Sequence, residues 1–97
     1  MLNLHLPDAA QRLTIWRNSI PEKAPVAQDV EPGLKALADN LELSGSAIKS
    51  AALQAAYFAA SEGSPITLRH LVKACEKELA KLGKSLSAHV KQSLSYL

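Results

Sequence analysis

The chain has 97 residues, which is long enough for one domain and too short for two. Hydrophobic residues make up 47% and charged residues 21%, which excludes a disordered chain, and an aromatic share of 4% predicts an alanine-rich aliphatic core. The formal charge of +2 is uneven, because residues 1–68 carry five basic and seven acidic side chains while residues 69–97 carry six and two. An anionic neighbour or a solvated lysine-rich helix face explains this difference.

The sequence carries no signal for export or membrane insertion. The start "MLNLHLPD" has no basic-then-apolar pattern, and no apolar run approaches the ~18 residues of a membrane span. We therefore expect a soluble, cytoplasmic protein without membrane contact. The single cysteine, Cys75, excludes an internal disulfide and a cysteine metal site, and its place on an apolar stripe predicts a small core residue.

The first predicted helix runs from about Pro7 to Ser19, with Asp8 near the positive end of its dipole. Its core stripe is Ala9, Leu13, Trp16 and Ile20. Ile15 lies nearly opposite that stripe, alongside Arg12 and Ser19. This isoleucine therefore needs a partner outside the core, or is simply one exposed apolar residue.

Residues 20–29 contain two prolines and no periodicity, which predicts a loop. The second helix is expected from about Val30 to Glu42, weakened by about 1 kcal/mol at Gly33. Its stripe is Val30, Leu34, Leu37, Ala38 and Leu41.

The third helix begins after the N-cap Ser44 and ends near Gly63. One side carries Ile48, Ala51, Ala52, Ala55, Phe58 and Ala59, and the adjoining side carries Leu53, Ala56 and Ala60. A helix that is apolar over most of its circumference is typical of a central position. We expect helices 30–42 and 67–82 to flank it.

The fourth helix follows the N-cap Thr67 and stops at Gly83. Its stripe is Leu68, Leu71, Val72, Cys75, Leu79 and Leu82. In the tail, 84–97, apolar residues at helical spacing predict a weaker fifth helix. The sequence thus predicts an all-α bundle of four to five helices, with a domain at 1–83 and a tail helix at 84–97.

The sequence shows no catalytic or metal-binding constellation. It contains no phosphate-binding glycine loop and no metal-ligand spacing. His5, His70 and His89 lie on different segments without a readable carboxylate partner, so each is interpreted as a surface or flanking histidine.

Three segments in order, "LPDAAQRLTIW", "VEPGLKALADNLELSGSAIKSAALQAAYFAA" and "ITLRHLVKA", resemble the C-terminal helical lid of AAA+ ATPases. That family shows a proline before Arg-x-x-Ile, then a Leu-Ala helix, then Ser-Gly-Ala-Asp-Ile opening an alanine-rich helix. The resemblance covers roughly Leu4 to Leu82. The alanine-rich stretch is particularly similar to the bacterial ATPases encoded with phage-tail-like contractile injection systems.

The resemblance implies a site for the adenine of ATP. It places the backbone of Gly45 and Ser46 against the base and packs Ile15 on it, while Arg12 becomes a structural or domain-linking residue. Lys49 stands where some branches have a second-sensor arginine, and it supplies the charge without the bidentate fork. A solvated lysine is the alternative interpretation of Lys49.

Two positions depart from the family pattern. Ser19 replaces a histidine near the adenine, and Ala47 replaces an acidic or amide residue. The Walker motifs and the arginine finger belong to the family's larger N-terminal domain, so this chain resembles the lid alone. The resemblance implies no ATP hydrolysis by the chain itself, with ATP as the cofactor of the intact ATPase. The implied partners are the large domain and the neighbouring subunits of a ring, typically a hexamer.

Two other classes of function stay open. A basic stripe on the fourth helix would suit a small nucleic-acid-binding module, although it lacks interleaved aromatic residues. The stripe is Arg69, Lys73, Lys77, Lys81 and Lys84. The second class is a helical adaptor or oligomerisation module, which would associate through the tail helix.

Overall fold

The computed structural model describes residues 6–83. Over this range the chain forms four helices and no strand, which confirms the all-α prediction: α1 (Ala9–Ser19), α2 (Val30–Asn40), α3 (Gly45–Glu62) and α4 (Leu68–Lys81). The predicted tail helix and domain at 84–97, together with His5, Lys84 and His89, lie outside the described residues. None of the four helices is long and apolar enough to cross a bilayer.

Local signals define the ends of the helices. In a capping box before α1, Gln11 N–H donates to Asp8 Oδ1 at 2.8 Å and Asp8 N–H donates to Gln11 Oε1 at 2.9 Å. The helix therefore starts two residues after the predicted Pro7. Ser44 caps α3 by accepting Ala47 N–H at 3.2 Å, and Gly63 ends it with a φ of 68°.

The helices pack as a closed ring in which α1 contacts α2 and α3, and α4 contacts α3 and α2. The prediction that helix 30–42 flanks α3 is wrong, because α1 and α4 take those positions. Two contacts between side chains and partners join α2 to α1 instead: the buried Arg12 donates to the Ala38 carbonyl, and the exposed Arg17 forms an ion pair with Glu31.

Gly33 allows α2 to approach α4 closely. A Cβ atom at this position would lie 2.5 Å from Leu68 Cδ1. The glycine weakens α2 as an isolated helix, but any larger residue would require Leu68 to move.

The loop before α2 is fastened to the turn between α3 and α4. Ala27 N–H donates to the Ile66 carbonyl at 2.8 Å, and Ile66 N–H donates to the Pro25 carbonyl at 2.9 Å. Asp29 Oδ1 also accepts Leu68 N–H, at 3.2 Å, at the start of α4. The loop prediction is correct, and these distant partners satisfy backbone groups that the sequence pattern did not assign.

Helix α3 is closed on one side and open on the other. Ile48, Ala51, Ala52 and Ala55 are fully buried, as predicted. The adjoining side is only partly covered, since Leu53 is 60% exposed and Ala60 is exposed, while Ala56 is half-buried against the core. Only α1 and α4 pack on α3 within residues 6–83, so the prediction that α3 is surrounded is wrong on its outer side.

The predicted apolar stripes of α1 and α4 were only partly correct. In α1, Trp16 is buried, whereas Ala9, Leu13 and Ile20 are half-buried. The buried neighbour of Trp16 is Arg12, whose hydrogen bonds compensate for burial. In α4, Leu68, Leu71, Cys75 and Leu79 are buried, Val72 is half-buried, and Leu82 lies exposed beyond the last turn.

Two residues of α4 contrast with each other. Cys75 is fully buried, which confirms the predicted core position, and burial raises the pKa of its thiol to about 12. The surface interpretation of His70 is wrong, because only 1% of it is exposed. Its Nδ1 accepts Thr67 N–H at 3.0 Å and its Nε2 lies 2.9 Å from Glu62 Oε1, so the ring closes the turn from α3 to α4.

Candidate functional site

Two grooves lie between α1 and α3, one on each side of Ile15. The larger, of about 580 Å³, is lined by Leu6, Pro7, Gln11, Thr14, Ile15 and Gly45. The smaller, of about 410 Å³, is lined by Ile15, Asn18, Ser19, Lys49 and Leu53. We call the pair the α1–α3 cleft. Its common wall is Ile15, one of the residues that the family resemblance assigned to a site.

Ile15 and Gly45 lie next to each other in the cleft. A Cβ atom built on Gly45 would lie 3.6 Å from Ile15 Cδ1, an ordinary van der Waals distance. Packing within the domain therefore does not require a glycine here. The missing side chain leaves the first backbone unit of α3 open to a molecule that enters the cleft.

The first turn of α3, residues 45–48, is electrostatically positive. Ala47 N–H is bound by the Ser44 hydroxyl, and Ile48 N–H by the Ser44 carbonyl at 3.0 Å. No acidic side chain lies in this turn to offset the helix dipole. Lys49 is exposed on the smaller groove and adds a positive charge to the same end. This end of the cleft favours an anionic group.

The structure separates Ser46 from the other three site residues. Its side chain is exposed, with Oγ 3.3 Å from Ser44 Oγ. Instead of lining the cleft, Ser46 borders a cavity of about 300 Å³ on the α4 side, together with Glu78 and Lys81. Ile15, Gly45 and Lys49 are brought together, and of Ser46 only the backbone continues the turn that starts at Gly45.

Ile15 contacts the core of the domain and also forms part of the cleft surface. It is half-buried and contacts the core cluster, so the expectation that it faces away from the core was only partly correct. Nearby, Ser19 Oγ donates to the Ile15 carbonyl at 2.6 Å, which occupies its hydrogen within α1. The cleft thus has an apolar centre, with polar groups at its edges.

Sequence reasoning missed the other walls of the cleft. Gln11 and Asn18 stand four before and three after Ile15, and Thr14 stands three after Gln11 and four before Asn18; such spacings place residues along one side of α1. That spacing was the available signal. Leu6 and Leu53, which are 56% and 60% exposed, add apolar surface at the two ends.

A buried carboxylate holds α3 and α4 together on the α4 side of α3. Glu78 accepts hydrogen bonds from Ser50 Oγ at 2.9 Å, Gln54 Nε2 at 2.5 Å and Lys81 Nζ at 2.9 Å. Burial opposes its ionisation, but the bonds from Lys81, Ser50 and Gln54 outweigh burial and lower the pKa of the Glu78 carboxyl. This network fixes the middle of α3.

The basic side chains of α4 have partners within the domain. Arg69 pairs with Glu62 at 3.1 Å, and Lys81 with Glu78. Lys73 and Lys77 lie over the Phe58 ring, 4.7 Å and 5.5 Å from its centre. Among residues 6–83, no group of three histidine, cysteine or acidic side chains is arranged to hold a metal ion.

The fold and the cleft define a helical domain that presents an open helix start beside an apolar residue. The sequence profile of one family, described as the contractile injection system ATPase helical domain, matches residues 8–80. The chain belongs to this family, and the resemblance to ATPases of contractile injection systems is confirmed. Neither the curated proteins nor the solved structures give a match.

Proposed function

We propose that this domain is the lid of its ATPase and that the α1–α3 cleft closes over the adenine of ATP bound by the large domain. The proximity of Ile15 to the bare start of α3 at Gly45, in one groove, carries the proposal. A flat base needs an apolar surface and close access to backbone N–H groups, and the cleft offers both at one point.

The four residues have three roles in this proposal. Ile15 packs on the face of the base, and the backbone of Gly45 and Ser46 lies along its edge. Lys49, at the positive end of α3, interacts with a phosphate through a single ammonium group. A lid of this kind supplies binding and closure, while the catalytic groups belong to the large domain.

The proposal also includes assembly. The lid packs on the large domain of its own chain and on neighbouring subunits of a ring, which we infer to be a hexamer in the cytoplasm. Leu53 and Tyr57, 60% and 72% exposed on the outer side of α3, are suited to such protein contacts. The domain spans 1–83, followed by the tail at 84–97.

A nucleic-acid-binding function is less consistent with the geometry. Arg69, Lys73, Lys77 and Lys81 all interact with Glu62, Phe58 or Glu78 inside the domain. Phosphate binding would have to replace these interactions.

The test uses the intact ATPase carrying Gly45→Val, with Gly45→Ala and Ala60→Val as matched controls. Valine at the cleft should raise the KM for ATP several-fold. Alanine adds only a Cβ, which fits beside Ile15 without disturbing the fold, so Gly45→Ala should raise KM less than Gly45→Val does. Ala60 is exposed far from the cleft, so Ala60→Val should change KM little. Ile15→Asp should raise KM as well, and its melting temperature must be measured because Ile15 also contacts the core. Variants that lose stability while KM stays unchanged would refute the lid function.

A further inference from the structure

Arg12 is a buried cation whose hydrogen-bond partners are backbone carbonyls. Its side chain is 7% exposed. Nε donates to the Ala38 carbonyl at 2.7 Å, and Nη1 donates to the Pro7 carbonyl at 2.6 Å. Neither partner is charged, so the guanidinium must serve these two carbonyls well enough to offset its desolvation.

The Ala38 bond caps the C-terminal end of α2. This helix ends at Asn40, so Ala38 is among the last four residues, whose carbonyls lack a partner within the helix. The last turn of α2 contains no basic residue of its own. Arg12 supplies from α1 the positive charge that the negative end of α2 favours.

The Pro7 bond fixes one wall of the larger groove. Leu6 and Pro7 precede α1 and line this groove together with Ile15 and Gly45. Arg12 holds the Pro7 carbonyl, while Gln11 and Asp8 form the capping box one residue later. Through Arg12, the wall at Leu6–Pro7 is tied to α2 on the far side of α1.

We propose that Arg12 is a positioning residue for the base in this groove, because it sets the distance between the Leu6–Pro7 wall and Ile15. This inference rests on the proposed lid function and adds to it a determinant of base selectivity. A wall released from Arg12 would leave the groove wider, and a wider groove discriminates less between adenine and a base with other ring substituents.

The experiment compares Arg12→Met, Arg12→Lys and the control Arg17→Met in the intact ATPase, with ATP and GTP as substrates. Arg17 lies on the same helix but is exposed and pairs with Glu31. Arg12→Met should raise the KM for ATP several-fold and reduce the ratio of kcat/KM for ATP over GTP. Lysine can reach one carbonyl, so Arg12→Lys should restore part of the ratio, and Arg17→Met should leave it unchanged.

Loss of folded enzyme alone gives a different result, because it lowers the apparent kcat for both nucleotides and leaves KM and their ratio unchanged. That result, in Arg12→Met or in the milder Arg12→Lys, would overturn the inference. The two proposals also fail separately. If Gly45→Val raises KM and the Arg12 variants do not, only the positioning role is lost. If Gly45→Val has no effect on KM, the lid function itself is refuted.

Discussion

Helix α3 meets the rest of the domain in two contrasting ways. On its inner side, Ala51, Ala52 and Ala55 are fully buried, and small side chains let neighbouring helices approach closely. At its start, Gly45 lies in an open cleft beside Ile15. Small residues of α3 therefore have two uses: the alanines allow close packing where neighbouring helices cover α3, and the glycine at its start leaves the backbone accessible in the cleft.

Two charged residues, Glu78 and Lys49, show the same contrast between a buried side of α3 and an open one. Glu78 is buried against α3 with three hydrogen-bond donors, and its charge is fixed in place. Lys49 is exposed at the cleft, four residues from Gly45. One charge therefore holds helices together, while the other is available to a ligand.

We expect the largest effect on stability from shortening an isoleucine, and the effect should differ between Ile48 on the buried side of α3 and Ile15 at the cleft. Ile48→Ala removes a fully buried side chain and should lower the free energy of unfolding by about 2–5 kcal/mol. Ile15→Ala should cost clearly less, because Ile15 is only half-buried. Urea denaturation of the 97-residue chain measures both. Equal losses would mean that the cleft is as much part of the core as the inner side of α3.

The next effect concerns overpacking. Ala55→Leu adds volume at a fully buried position and should destabilise the domain by about 1–3 kcal/mol. Ala60→Leu makes the same change on the exposed side and should stay within about 0.5 kcal/mol. An unchanged urea midpoint for Ala55→Leu would contradict tight packing of α3.

Acid should weaken the polar contact between α3 and α4. The pKa of Glu78 is below its ordinary value of 4.5 in the folded domain, so its contribution is complete above that value. The contribution is lost as the pH falls through the lowered folded pKa. Unfolding measured at pH values from neutral to below 4.5 should show a steeper loss in the wild type than in Glu78→Gln.

The titration of Glu62 contributes equally to the pH profiles of the wild type and of Glu78→Gln. Its pKa is also lowered, chiefly by the hydrogen bond to His70, and it titrates in both proteins. The exposed Glu42→Gln serves as a control and should keep the steep wild-type profile. Parallel profiles for the wild type and Glu78→Gln would show that the Glu78 network contributes no pH-dependent stability.

The smallest effect on the fold is expected at the open end of the cleft. Lys49→Met should change stability by less than about 0.5 kcal/mol, because the side chain is exposed. In the intact ATPase it should weaken ATP use, and Lys49→Arg should retain most of it. Unchanged kinetics in Lys49→Met would identify a solvated lysine without a role at the phosphates.

Local signals predicted most of the fold. Ser44, Thr67 and Gly63 mark helix ends through their own backbone and side-chain chemistry, so the limits of α3 and the start of α4 were correct. Arg12 and His70 were not predicted to be buried. Their partners at Ala38 and Glu62 become neighbours only in the folded bundle.

The site was predictable to a similar degree. Periodicity placed Ile15 off the main stripe, and the family resemblance paired it with Gly45, a proximity that the structure displays. Periodicity also suggested a covered Leu53, because an apolar pattern shows which side can be buried and not whether a neighbour exists there. The hydrogen bond from Arg12 to the Pro7 carbonyl was not predicted, because the sequence pattern assigned Arg12 no partner.

The most direct measurement of the central claim is photolabelling of the intact ATPase with 8-azido-ATP, followed by mapping of the modified peptides. The reactive group sits on the adenine, so it reports which residues lie beside the base. We expect labelling within residues 6–19 or 44–53, and we expect excess ATP and Gly45→Val to reduce it. Labelling that ATP competes away but that lies wholly outside these two segments would contradict the claim.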